Sequence, residues 1–215
     1  MIFISVTSVN SVAKKILIAT SNAGKFAELS AMLDESISWV SLRDFDKITP
    51  VVEDGKTFAE NARKKALSYA KQTGLWTLAD DSGLVIDALD GQPGVNSARF
   101  SGAKDTDRKI IDRKNYQKVL NLLKDIPPEK RTARFVCCLC LARAEKILIE
   151  TKGTLEGLII EQPVGKNGFG YDPVFFLPPL NKTVAQLSDD EKNSVSHRGR
   201  AVRKLKPLLD KLLQG

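Results

Sequence analysis

Asp80 and Asp81 stand side by side in the run Leu78-Ala79-Asp80-Asp81-Ser82-Gly83-Leu84. The apolar residues 75–79 ahead of them read as a buried strand, and Ser82-Gly83 reads as the turn that ends it. Neighbouring carboxylates repel, so this pair at the mouth of a sheet costs stability unless a cation cancels the charge. Oxygen ligands on a rigid strand end suit Mg²⁺, which keeps several waters and shares its remaining positions with substrate phosphates. The competing reading is a strand-to-turn junction with two solvated acids.

Other segments carry groups that such a site would use. Glu53 and Asp54 precede Gly55 and the capping box Thr57-Phe58-Ala59-Glu60. They either converge on the same metal or are surface acids ahead of a helix. Thr20, Ser21, Asn22, Ala23, Gly24 and Lys25 form a small polar turn after an apolar strand at 16–19. Strand, turn and helix in that order aim N–H groups at an anion. The Walker spacing is absent, and a plain polar turn before a helix is the simpler reading. In Gly168-Phe169-Gly170-Tyr171-Asp172 an aromatic ring is framed by glycines, open to stack on a base, with Asp172 able to accept from a purine N1–H. A β-turn with a core aromatic is the alternative, particularly for Tyr171. Lys192, the single histidine His197, and Arg198 cluster at a helix start, where they would present donors to a carbonyl oxygen. A lone histidine is also commonly structural.

The elements that must position these groups follow from periodicity and punctuation. A helix from about 25 carries Phe26, Leu29 and Leu33 on one face, and a second, 57–72, carries Phe58, Ala62, Ala66 and Tyr69. Residues 91–100 are an ordered Gly/Pro loop. A helix spans 106–124 and stops before Pro127-Pro128. Strands occupy 132–144 and 146–160, with a short buried strand at 174–177. Ser188 opens a helix with acids at its positive end. A terminal basic helix follows Ser196-His197, and Pro207 should kink or break it. Strand–helix units followed by long strands predict an α/β fold with a mixed sheet.

Composition narrows the function classes. The 215 residues, 42% hydrophobic and 27% charged, suffice for one sizeable core, folded as one body or two lobes. No apolar run approaches the ~20 residues of a membrane span, so no membrane partner is expected. Residues 1–14 have no Lys or Arg before Lys14, which argues against a secretory signal. They read as a loose, disordered extension, or as the product of a start codon placed too early, ahead of a single catalytic domain, 15–215. Cys137, Cys138 and Cys140 sit in an apolar run without Cys-x-x-Cys spacing. They read as buried thiols, and an odd count points to the reducing cytoplasm. A net charge of +7 asks for an anionic partner, nucleic acid or a nucleoside triphosphate. A basic nucleic-acid-binding module would explain the charge but not the acid pairs, and no binding motif is present, so no stable nucleic-acid partner is expected. The basic block 104–118 reads as a solvated helix face.

Taken together, these stretches resemble one family, the non-canonical purine nucleoside triphosphate pyrophosphatases, also called Ham1-like or inosine triphosphatases. The matches are Ile18-Ala-Thr-Ser-Asn-Ala-Gly-Lys25, Glu53-Asp-Gly-Lys-Thr-Phe-Ala-Glu-Asn-Ala62, Ala79-Asp-Asp-Ser-Gly-Leu84, Gly91-Gln-Pro-Gly-Val-Asn-Ser-Ala-Arg99, Gly168-Phe-Gly-Tyr-Asp-Pro173 and Glu191-Lys-Asn-Ser-Val-Ser-His-Arg198, in the family's order. The resemblance implies hydrolysis of ITP, dITP and XTP to the monophosphate and pyrophosphate, with Mg²⁺. It also implies a homodimer and an elongated α/β fold, a mixed sheet flanked by helices, in two lobes with the active-site cleft between them. By position, Asp81 would be the metal-linked general base, with Asp80 and Glu53 as further metal ligands. Residues 20–25 would bind substrate, with Lys25, Lys65 and Lys192 on the phosphates. Ser82, Phe169, Gly170, Tyr171, Asp172, His197 and Arg198 would complete the pocket. A pyrophosphatase for other modified or canonical nucleotides is the nearest alternative. Three departures stand out. Val52 occupies a position that is acidic in some members, 106–118 is a few residues longer than usual, and 1–14 has no counterpart.

Overall fold

Ile16, Leu17 and Ile18 are all fully buried. A strand apolar on both faces belongs inside a sheet covered on both sides. The computed structural model describes residues 15–214, and the expectation for 1–14 lies outside the described residues. Strand β1 (Lys15–Ala19) lies between β2 (Ser38–Ser41) and β3 (Trp76–Ile86), parallel to both. The seven-stranded sheet then continues antiparallel through β4 (Thr132–Arg143), β5 (Lys146–Ile159), β6 (Phe175–Leu177) and β7 (Lys182–Thr183). The order β2-β1-β3-β4-β5-β6-β7 is the mixed sheet that the sequence predicts. Among the described residues no helix is long and apolar enough to cross a membrane.

The helices cover both faces. Helix α1 (Ala23–Met32) and helix α5 (His197–Gln214) place Leu29, Val202 and Leu205 on Ile16, Ile18, Leu78 and Leu139. On the opposite face α2 (Phe58–Thr73) lays Ala62, Ala66 and Ala70 against Leu17, Ala79, Cys138 and Cys140, small residues that let helix and sheet approach closely. Farther along β3, Leu84 and Ile86 join a separate cluster with Val119 and Leu123 of α3 (Arg108–Leu123). Leu84 and Ile86 share the α1/α5 face of β3 with Leu78, so the apolar core on that face divides at Asp80 and Ser82. Helix α4 (Asp189–Val195) is opened by a full capping box at Ser188 and Glu191.

Two expectations are corrected. Ser82-Gly83 is not a turn, because β3 pairs with β4 without interruption from Thr77↔Ala142 to Ile86↔Ala133. The glycine answers a close approach instead. A β-carbon at Gly83 would strike the Ser97 hydroxyl and lie 2.9 Å from the Gly94 carbonyl oxygen, where the 93–99 segment crosses the strand. Pro207 does not end α5, which runs on to Gln214. Leu205 and Leu209 on either side of it are buried, and that packing carries the helix past the missing N–H. Gly83→Ala is expected to lower unfolding stability by about 1–3 kcal/mol, as overpacking does. A urea melt measures this, and an unchanged midpoint would contradict the assigned role of the glycine.

Candidate active site

Because β3 is straight at this point, its two acids face opposite sides of the sheet. Asp80 points toward α1 and α5 and is 1% exposed. Its Oδ1 accepts from Lys25 Nζ at 2.7 Å and Ser82 Oγ at 2.9 Å, and its Oδ2 from Arg198 Nε at 2.8 Å and Cys137 Sγ at 3.2 Å. Burial opposes its charge, but Arg198 and Lys25 together outweigh burial and hold the carboxyl well below the usual range. The sequence reading places Asp80 among the metal ligands, and here it meets cations of the protein itself. Both its oxygens are committed to protein donors, and it serves as counter-ion to Lys25 and Arg198. Arg198, itself 1% exposed, is gripped further by Glu28 and by Ser82 Oγ at 2.7 Å.

Asp81 points the other way, toward α2. Lys65 of α2 donates to the Asp80 carbonyl at 2.6 Å and to Glu53 at 2.8 Å, and lies 3.5 Å from Asp81 Oδ1. Burial pushes the Asp81 carboxyl up to about 6, helped by Glu53 and opposed by Lys65 and Lys25. Its Oδ2 is buried without a hydrogen-bond partner. Burial also works against the Glu53 charge, yet Lys65 holds that carboxyl below its ordinary value. Asp54 turns outward to an exposed pair with Lys64 at 2.5 Å, and Val52 is exposed. An orphaned carboxylate oxygen beside a second carboxylate, with Lys25 and Lys65 adjoining, fits a hard cation bound together with phosphate oxygens. Among the described residues no group of three or more His, Cys, Asp or Glu is arranged to hold a metal alone, so a ligand would have to supply the remaining positions.

Thr20, Ser21, Asn22, Lys25, Lys65 and Asp81 line one part of a cavity of about 210 Å³. Phe169–Asp172, Lys192, His197 and Arg198 line another. Asn22 caps α1, its Oδ1 accepting from Lys25 N at 3.1 Å. Ala23 begins the helix. Gly24 is the floor for Phe169, since a β-carbon there would sit 2.5 Å from the ring. Lys192 Nζ stands 4.5 Å and the Arg198 guanidinium carbon 5.9 Å from the Phe169 centroid. Lys192 is buried and paired with Glu28 at 2.7 Å and Asp172 at 2.6 Å. It belongs to this aromatic end, and of the three lysines expected on phosphate, Lys25 and Lys65 border the acids. Burial pushes the Asp172 carboxyl up, partly offset by Lys192. Its Oδ2 already accepts from Lys192 and from Phe169 N at 2.9 Å. Tyr171 is a core aromatic, donating to Ser97 O at 2.8 Å. His197 stacks on Phe135 at 4.9 Å, and its buried Nδ1 has no partner. Burial, then Arg198, holds it well below 6.5, so the ring is neutral.

Glu28, Cys137, Asn61 and Phe135 are members the sequence reading missed. Glu28 lies one turn beyond Lys25 on the same helix face, a spacing that could have flagged it. Asn61, fully buried, accepts Gly55 N–H at 2.8 Å and has an unpartnered Nδ2 beside the acids.

A profile of the Ham1 family matches residues 16–208. A dITP/XTP pyrophosphatase of Bacillus cereus is 49% identical over 197 residues, covering 89% of this chain and 93% of that one. The solved structure of a HAM1 protein from Coxiella burnetii superposes with a TM-score of 0.82 at 41% identity, covering 92% of this chain and 99% of that chain. A nucleoside-triphosphatase / dITP/XTP pyrophosphatase from Mycobacterium abscessus gives 0.71 at 44% identity, covering 90% and 99%.

The geometry at Asp81 has a consequence for stability. Its folded pKa of about 6 lies above the ordinary 3.8, so its contribution is favourable below about 4 and is lost as pH rises through 6. Without divalent cations, Asp81→Asn should therefore be more stable than wild type at pH 8 by about 1–3 kcal/mol, with the gap closing toward pH 4. Thermal melts across pH test this, and a pH-independent gap would contradict it.

Proposed function

The chain belongs to the Ham1 family, and from that premise we propose that it hydrolyses non-canonical purine nucleoside triphosphates, ITP, dITP and XTP, to the monophosphate and pyrophosphate. The observation that carries the mechanism is Asp81, a buried carboxylate with a raised pKa and an unpartnered oxygen on the cavity wall. A general base works best with its pKa near the operating pH. Asp81 Oδ2 takes the proton of a water attacking the α-phosphorus. The bond from that phosphorus to the bridging oxygen breaks, and pyrophosphate leaves with the electron pair. Lys25 and Lys65 stabilise its charge from fixed positions. Mg²⁺ is the proposed cofactor, held by Asp81 and Glu53 with phosphate oxygens, where it would neutralise charge on the triphosphate.

The aromatic end selects the base. Hypoxanthine and xanthine carry a 6-oxo acceptor and an N1–H donor, and adenine reverses both. Phe169 stacks on the ring, Arg198 and His197 border the 6-oxo edge, and Asp172 Oδ1 accepts from N1–H. Adenine would leave these groups unpaired. The buried, unbridged cysteines support a cytoplasmic site of action, and the family resemblance supports a homodimer.

Pyrophosphate release from ITP, XTP, GTP and ATP, with and without Mg²⁺, tests the reading. ITP and XTP should exceed ATP by roughly 10⁴ in kcat/KM. Equal values for ITP and ATP would refute it. Asp81→Asn should lose about 10²–10⁴ in rate. Phe169→Ala should raise KM for every purine triphosphate without restoring ATP.

A further inference from the structure

Helix α3 lies in the basic block that reads as a solvated face, yet one side of it is a polar clip. Arg108, Asp112 and Asn115 follow helical spacing along that side. Asn115 is 1% exposed; its Oδ1 accepts from Ser101 N at 2.8 Å, and its Nδ2 donates to the carbonyls of Ser97 and Ala98 at 3.3 Å each. Arg108 donates to Ala98 O at 3.2 Å and pairs with Asp112 at 2.9 Å. Asp112 is 7% exposed, and its Oδ2 accepts from Gly170 N at 3.0 Å. One helix face thus holds both the 97–101 segment and the loop that carries Phe169. Among the described residues, the Asp112–Gly170 bond is the one hydrogen bond from α3 to that loop.

The loop needs an outside anchor. Gly168 and Gly170 flank Phe169 with φ of +73° and +65°, a backbone that gives the ring little restraint of its own. On the inner side Asp172 Oδ2 accepts from Phe169 N. On the outer side Asp112 plays the same part for Gly170. Two carboxylates therefore hold consecutive N–H groups, and the ring is seated over Gly24 between them.

Resting on the stacking role given to Phe169 above, we propose that Asp112 is a positioning residue that fixes the Phe169 loop and so sets affinity for the base, while the chemistry at Asp81 is untouched. Asparagine at 112 keeps an oxygen for Gly170 N–H, whereas alanine keeps none. The test compares Asp112→Asn and Asp112→Ala by titration with inosine monophosphate, by KM and kcat on ITP, and by hydrogen exchange over residues 166–172. Asp112→Ala should weaken inosine monophosphate binding and raise KM by about tenfold each, with kcat within about threefold and faster exchange in the loop. Asp112→Asn should stay within about threefold of wild type. Wild-type affinity and KM in a folded Asp112→Ala protein, or a fall in kcat at constant KM, would overturn the proposal. Should Asp112→Ala not fold, Asp112→Ser, whose hydroxyl is too short to reach Gly170, takes the same test with the same outcomes. The wild-type rate on ITP tests the function itself, and the ratio of variant to wild-type affinity tests Asp112, so the two readings fail separately.

Discussion

Arg198 is buried to 1% exposure between Asp80 and Glu28, and the rest of the site is arranged around that contact. A buried guanidinium is tolerable only where carboxylates and acceptors meet it. Asp80 meets it from β3, Glu28 from α1, and Ser82 from two residues further along β3 on the same face. Lys25 closes the set on Asp80, and Lys192 closes it on Glu28 and Asp172. Three cations and three carboxylates balance. Such a network contributes little net stability against an apolar core, but it fixes α1, β3, α4, α5 and the Phe169 loop in one geometry. It also explains why the apolar core on this face divides at Asp80.

Asp81 receives the opposite treatment. The alternation of the strand turns it away from Arg198 toward α2, where Lys65 is shared with Glu53 and the Asp80 carbonyl. It keeps its charge at a cost, visible in its raised pKa and its unpartnered oxygen. A carboxylate kept where burial raises its pKa gives up stability, and such a loss is common where activity asks for it. Adjacent residues of one type thus divide into a paired counter-ion and a carboxylate with an unpartnered oxygen, and the alternation of the strand turns them to opposite faces.

Much of this arrangement is legible in the amino-acid sequence. The strand–turn–helix start at residues 16–25, the helix starts at Thr57 and Ser188, the paired long strands and the glycine-framed ring are local signals, and local chemistry decides them. Apart from Glu28, one turn from Lys25, the misses are long-range. Gly83 reads as a turn because glycine is common there, whereas its cause is Ser97 crossing the strand. The role of Asp80 depends on Arg198, 118 positions away, and no spacing rule pairs them. The α3 face reads as solvated because a run of basic residues gives no sign of the loops that lie against it.

The division of labour between the two aspartates is tested most directly by cation affinity. Calorimetric titration of Mg²⁺ into wild type, Asp80→Asn and Asp81→Asn, each saturated with a non-hydrolysable ITP analogue, should separate them. Asp81→Asn should bind the cation at least about tenfold more weakly while keeping its fold. Asp80→Asn should melt at a markedly lower temperature, as a broken buried pair does at about 3–5 kcal/mol, yet retain most of its Mg²⁺ affinity when titrated below that temperature. Loss of Mg²⁺ binding in Asp80→Asn with an unchanged melting temperature, and wild-type binding in Asp81→Asn, would contradict the account.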